Sequence, residues 1–309
     1  MRKSQFLFVL MLSTSFATMA RADETSLANC VAAGEGNCVQ IGTSGTYYAL
    51  SGPEGNKTMT IYGPTESGST AATVPQEAFF FWDDENEMST VPAGVTSLKT
   101  SGNVNIGEYA FNGATGLTSV DLTGVKTIGS GAFWGATGLT SVDLTGVQTI
   151  GGGAFSSTGL SSVVIGGTPE IGGYAFDNLP SGAKLYCESE SVCQTIISTS
   201  EREVNDDLIS LSECDDIVIQ TFSKGDDGVY VLKDEDGDPI AYYSSAANMM
   251  AGGTQEGCAT QESCAAVVLA ANNPTPQPTK PQRADIRIYT IDEANAVAGK
   301  TNIFSIRYR

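Results

Sequence analysis

Apolar positions in the middle of the chain fall into a unit that returns every 21 or 22 residues. Phe111, Phe133 and Phe155 lie 22 apart, and Phe176 follows at 21. The stretch Leu117-Thr-Ser-Val-Asp-Leu-Thr-Gly-Val-Lys-Thr-Ile-Gly-Ser-Gly-Ala-Phe133 returns almost unchanged as Leu139 to Phe155. Each unit opens with a period of two: Val120 and Leu122, Val142 and Leu144, Val163 and Ile165. That spacing predicts a short strand with these side chains pointing inward. Ile106, Ile128, Ile150 and Ile171 then each precede a glycine that turns the chain. The Ala-Phe pairs 110–111, 132–133, 154–155 and 175–176 fill the opposite wall. A fixed period of this size predicts a solenoid whose units bury their apolar sides only against neighbours. Four coils are expected, at 95–116, 117–138, 139–159 and 160–182, with Lys184-Leu-Tyr-Cys187 starting a fifth strand. Like residues of successive coils should form ladders about 4.8 Å apart.

The same register places the outward strand residues. Lys99, Asp121, Asp143 and Val164 form one row, and Ser97, Ser119, Ser141 and Ser162 another. Directly stacked Asp121 and Asp143 repel. They are either solvated carboxylates partly balanced by Lys99, or the receivers of a basic group from a partner. Trp134 stands where the other coils have Asn112, Ser156 and Asp177. An exposed Trp there would be a binding anchor; one filling a local groove would not. The candidate binding face is therefore Ser97, Lys99, Ser119, Asp121, Ser141, Asp143 and Trp134.

Ile106-Gly-Glu-Tyr-Ala-Phe111, Ile128-Gly-Ser-Gly-Ala-Phe133, Ile150-Gly-Gly-Gly-Ala-Phe155 and Ile171-Gly-Gly-Tyr-Ala-Phe176 resemble one known motif. It is the Ile-Gly-x-x-Ala-Phe of the BspA-like, or treponemal-type, leucine-rich repeats of bacterial surface proteins. The resemblance covers roughly a third of the chain. It departs from the family in lacking a cysteine after the Ala-Phe pair, and its four to five coils leave a small binding face. The resemblance implies an exported or surface-exposed, non-enzymatic protein that binds other proteins, often in adhesion.

Residues 1–22 read as a secretory signal: Arg2 and Lys3, an apolar run from Phe6 to Leu12, and Ala20-Arg21-Ala22 before Asp23. The run is too short to span a bilayer, and no later segment supplies 18 apolar residues. Leu27-Ala-Asn-Cys30 loosely resembles a lipidation box, although Asn29 suits one poorly. Residues 23–94, with β-prone runs at Thr58 to Tyr62 and Phe79 to Trp82, are expected to cap the first coil. Residues 188–272 should form an acidic α+β appendage. In it, Gly228 to Lys233 and Pro239 to Tyr243 make a hairpin, and helices begin near Ser191 and Glu262. A proline-rich linker, 273–283, leads to a small module at 284–309, too short to be stable alone. That module either docks on the body or acts as a sorting or anchoring tag.

Charge and cysteines narrow the chemistry. Without residues 1–22 the chain has 13 basic and 35 acidic side chains, a net charge of −22, and no histidine. Such a charge repels nucleic acid and anionic lipid and favours basic partners. Seven cysteines in an exported chain predict disulfides. The short spacings pair Cys30 with Cys38, Cys187 with Cys193 and Cys258 with Cys264, leaving Cys214 over. The absence of histidine excludes Ser-His and Cys-His catalysis and His-ligated metals. A carboxylate-pair glycoside hydrolase is the remote alternative, but a short repeat stack offers no deep cleft. Ala294 to Thr301 satisfies a loose phosphate-loop pattern, yet the expected helix precedes its glycine instead of following it. Asp234-Glu-Asp-Gly-Asp238 is out of phase with a calcium loop and reads as a turn. No cofactor, nucleotide or nucleic acid is expected. The partner class is extracellular or surface proteins, with an envelope-assembly role as the rival.

Overall fold

In the computed structural model, the described residues are 26–272, apart from 34–37, 42–45, 66–69, 80, 83–87, 90, 205–206, 215 and 252–256. The readings for 1–22, 273–283 and 284–309, the Ala294 to Thr301 pattern included, lie outside the described residues.

The chain begins with helix α1 (26–32), then β1 (Val39–Ile41), β2 (Thr46–Ser51), β3 (Lys57–Tyr62), β4 (Ala72–Val74) and the small pair β5 (Phe81–Trp82) and β6 (Met88–Ser89). Each of the four repeats then contributes two short strands. These are β7 (Val95–Ser101) and β8 (Val104–Ile106), β9 (Ser119–Asp121) and β10 (Thr127–Ile128), β11 (Ser141–Asp143) and β12 (Thr149–Ile150), and β13 (Ser162–Ile165) and β14 (Glu170–Ile171). The first strands pair in parallel as β7–β9 and, in a separate sheet, β11–β13, whereas the second strands form one continuous parallel ladder. Ser97 lies against Ser119 and Ser141 against Ser162; Ile106, Ile128, Ile150 and Ile171 run in one line. Both sets of strands send side chains into a single apolar cluster.

Between the ladders the phenylalanines stack. Phe111, Phe133, Phe155 and Phe176 are fully buried. Successive ring centroids are 5.3, 5.3 and 5.5 Å apart and nearly parallel. The backbone enforces this spacing, because Phe111 N–H donates to Ala132 O, Phe133 N–H to Ala154 O and Phe155 N–H to Ala175 O, each at 2.8 Å. Each ring, taken out of water, contributes about 1.5–3 kcal/mol.

The path of the repeats starts before residue 95. β3 pairs in parallel with β7, and β4 with β8. Phe79 stacks on Phe111 at 5.2 Å. The expected β-run at Phe79 to Trp82 is thus corrected: Phe79 lies in a turn and stacks at the start of the aromatic column, while Phe81 and Trp82 are extended. Thr58 to Tyr62 is a strand, as its pattern predicts. Outside it, β2 pairs antiparallel with β3, and β1 antiparallel with β2.

At the other end, β15 (Lys184–Cys187) continues the ladder of β11 and β13 and is followed by α2 (Glu190–Thr199). The hairpin of β16 (Glu201–Val204) and β17 (Asp207–Ser210) comes next. Arg202 Nη2 lies 2.7 Å from Asp216 Oδ1 beneath it. This bond, joined by one from Ser181, holds the Asp216 carboxyl down at about 2. β18 (Val218–Lys224) adds in parallel to β15, and then the sheet turns antiparallel through β19 (Tyr230–Lys233), β20 (Pro239–Tyr243) and β21 (Gly257–Cys258). α3 (Ala246–Ala251) and α4 (Gln261–Asn272) lie against this sheet. The Asp234 carboxylate accepts from the N–H groups of Asp236 and Asp238, so it closes the hairpin turn. Cys30–Cys38, Cys187–Cys193 and Cys258–Cys264 are disulfides, and Cys214 is a buried free thiol. The sulfur of Cys30 is occupied by its partner, against the lipidation reading.

Candidate functional site

The repeats present two surfaces, and the expected binding residues divide between them. On the strand face, Ser119 Oγ donates to Ser97 Oγ at 3.0 Å, and Lys99 stands beside Asp121 in register. These two rungs are open: Lys99, Ser119 and Asp121 are exposed and Ser97 half-buried. Arg202–Asp216 is the only ion pair among the described residues, so Lys99 does not neutralise Asp121 by direct contact. Each aspartate works locally instead. Asp121 Oδ1 accepts from the N–H and hydroxyl of Thr123, and Asp143 Oδ1 from Thr145 N–H at 2.9 Å. Such bonds close the turn that ends the strand. The hydrogen-bonded strand ladder is interrupted between β9 and β11, the rungs that carry these like charges.

Beyond that break the expected open face is partly covered, which corrects the sequence reading. Val164 and Ser162 are buried, and Ser141 and Asp143 are half-buried. α3 packs across β11 and β13. Met249 from α3 joins Val164, Tyr186 and Phe222 in a second apolar cluster. The free strand face is therefore two rungs wide.

The second surface is the wall formed by the Ile-Gly-x-x-Ala-Phe turns. The glycine after each isoleucine allows successive backbones to approach. A Cβ on Gly129 would sit 2.6 Å from Glu108 N and from Gly107 C; on Gly151 it would sit 2.4 Å from Ser130 N. Two residues later the backbone is left-handed in every coil: Tyr109 at φ 52°, Gly131 at 60°, Gly153 at 63° and Tyr174 at 61°. Glycine adopts this conformation freely, whereas a tyrosine held there costs on the order of 1–3 kcal/mol. Strain retained at one position of a repeat directs attention to what the side chain does.

Tyr109 lays its ring over the next coil, where a Cβ on Gly131 would meet the ring at 2.3 Å. Trp134 N–H donates to Gly131 O at 3.0 Å, which sets the indole on the same turn that Tyr109 covers. Trp134 is 47% exposed and Tyr174 is 55% exposed. Of the residues aligned with Trp134, Asn112 is buried and Ser156 and Asp177 are half-buried. Asp177 accepts from Glu201 N–H at 2.7 Å, and burial raises its carboxyl above the usual range. Between the two exposed rings the third coil has only Gly152, Gly153, Ser156 and Ser157. A Cβ on Gly153 would meet nothing within 4 Å. The wall thus carries two exposed aromatic side chains with a coil of small residues between them.

Trp134 therefore does not share a surface with Lys99, Ser119 and Asp121; it stands on the phenylalanine wall, across the core from the strand face. Sequence reasoning missed Tyr109 and Tyr174. Their signal was present in the four motifs, where one position reads Tyr, Gly, Gly, Tyr.

No group of three or more metal-ligating side chains occurs among the described residues, and none of their helices is long and apolar enough to cross a membrane. Residues 93–190 match the family model of the BspA type leucine rich repeat region, in six copies. No curated protein matches the chain. Among solved structures, a leucine rich cell surface protein of Faecalibacterium prausnitzii A2-165 is similar at 15% identity and a TM-score of 0.21. That similarity covers 63% of this chain and 60% of the other, so under two thirds of the other protein's length is spanned. By motif, by parallel register and by the family-model match, residues 93–190 are a BspA-type leucine-rich repeat region.

Proposed function

We propose that this is an exported cell-surface protein that binds other proteins through the turn wall of a short solenoid, without catalysis or a cofactor. The observation that carries the reading is Trp134. A large aromatic side chain stands exposed at a position where the neighbouring coils hold small or polar residues. Aromatic anchors of this kind dominate protein interfaces because they bury much area at little entropic cost. Tyr174 and the glycine- and serine-floored coil between the rings extend the same surface. The segments flanking the repeats act as caps: β1, β2 and α1 at one end, α2 and the antiparallel sheet at the other. Three disulfides fit an oxidising, extracellular setting. The acidic body selects basic partner surfaces, and the two-rung strand face with Lys99 and Asp121 adds a minor second contact.

The test uses the mature chain and its Trp134→Ala variant on a panel of immobilised extracellular-matrix proteins. We expect at least one member to bind, and the variant to bind it about 30-fold more weakly, equivalent to about 2 kcal/mol at an aromatic anchor. The variant should keep its melting temperature, since an exposed side chain changes stability by within ~0.5 kcal/mol. Equal binding by both proteins, or no binding to any member, contradicts the reading.

A further inference from the structure

Helix α4 (Gln261–Asn272) is held on its inner side only. Cys264 is buried and tied to Cys258, and Ala265 and Val268 pack with it against Val229, Val231 and Tyr242. The outer side is Ala266, Val267, Leu269, Ala270 and Ala271, all exposed. Val267 is 51% and Leu269 63% exposed. A surface helix ordinarily turns polar residues outward. Here Glu262 is the only charged residue of the twelve. Such a face on an exported acidic protein needs a cover.

We infer that the cover is the chain's own C-terminal segment, residues 280–309, folded back on α4. The connection allows it. Residues 273–283 contain Pro274, Pro276, Pro278 and Pro281, and eleven residues of such composition can span up to about 34 Å. The helix itself is only about 18 Å long. The charges also match. Residues 218–272 carry two basic and eight acidic side chains, whereas 280–309 carry six basic and three acidic. The segment brings apolar residues at alternating positions, Ile286 and Ile288, with Arg287 between them. In the inferred contact Ile286 and Ile288 meet Val267 and Leu269, and Arg287 meets the acidic surface.

Hydrogen exchange, read by mass spectrometry on the full mature chain, tests this. The α4 amides should exchange about tenfold more slowly than in a full-length Ile286→Asp, Ile288→Asp variant. The variant should melt at the wild-type temperature, because the repeat core is untouched. High salt should weaken the protection in the wild type, as expected where charge guides the contact. Equal α4 exchange in the two proteins overturns the inference. Protection that appears only as concentration rises, together with dimers by light scattering, also overturns it, because the segment would then cover a second copy.

Discussion

Phe133→Ala is expected to destabilise the protein by about 3–5 kcal/mol, a loss visible in the denaturant midpoint with the slope unchanged. Phe133 is fully buried, and its ring is clamped between Phe111 and Phe155 at 5.3 Å on either side. A cavity at this point cannot collapse, because backbone hydrogen bonds of 2.8 Å on both sides fix the coil spacing. The substitution therefore removes the transfer energy of the ring and the contacts of its neighbours together. Phe79→Ala, whose ring stacks on Phe111 but meets Tyr48 only edge-on at 5.8 Å, should cost visibly less. An alanine variant at 133 that melts like wild type would mean that the ladder does not carry the core.

Gly129→Ala should cost about 3 kcal/mol, the upper part of the range for overpacking. The added methyl would lie 2.6 Å from backbone atoms of Glu108 and Gly107. Backbone cannot rotate away as a side chain can, so the coils must part, and the hydrogen bond from Gly129 N–H to Ile106 O at 2.8 Å lengthens with them. Gly173→Ala is the control. A Cβ there meets nothing within 4 Å, and a change within ~0.5 kcal/mol is expected. Equal melting of the two variants would show that the glycine after isoleucine is not required for close approach.

The two glycine positions also explain how much could be read in advance. The repeat was legible because its geometry rests on residue types with few substitutes: a glycine where backbones touch, an Ala-Phe pair where a ring must stack. The short cysteine spacings were legible for a similar reason, since a loop of six to eight residues brings the sulfurs together whatever the surrounding fold. The coil containing Phe79 was hidden because Val74-Pro-Gln-Glu-Ala-Phe79 keeps the Ala-Phe pair but not the isoleucine or the glycine. It also stands 32 residues before Phe111, ten beyond the regular spacing. The covering of the strand face by α3 depends on contacts between segments about 80 to 105 residues apart, which periodicity does not encode. Its only trace was Val164, an apolar residue in a row otherwise charged. Tyr109 and Tyr174 escaped notice because period-based reading attends to positions that repeat, and a binding surface is made by those that do not. Stacking identical coils produces a scaffold; the departures of single residues from the repeat give that scaffold a partner.

The most direct test of the stack is a nuclear Overhauser experiment on protein carrying labelled phenylalanine in an otherwise deuterated background. Ring-to-ring contacts are predicted in the order Phe79, Phe111, Phe133, Phe155, Phe176, each ring contacting only its neighbours at the observed 5.2 to 5.5 Å. Absence of these contacts, or contacts between non-adjacent rings, would contradict the account.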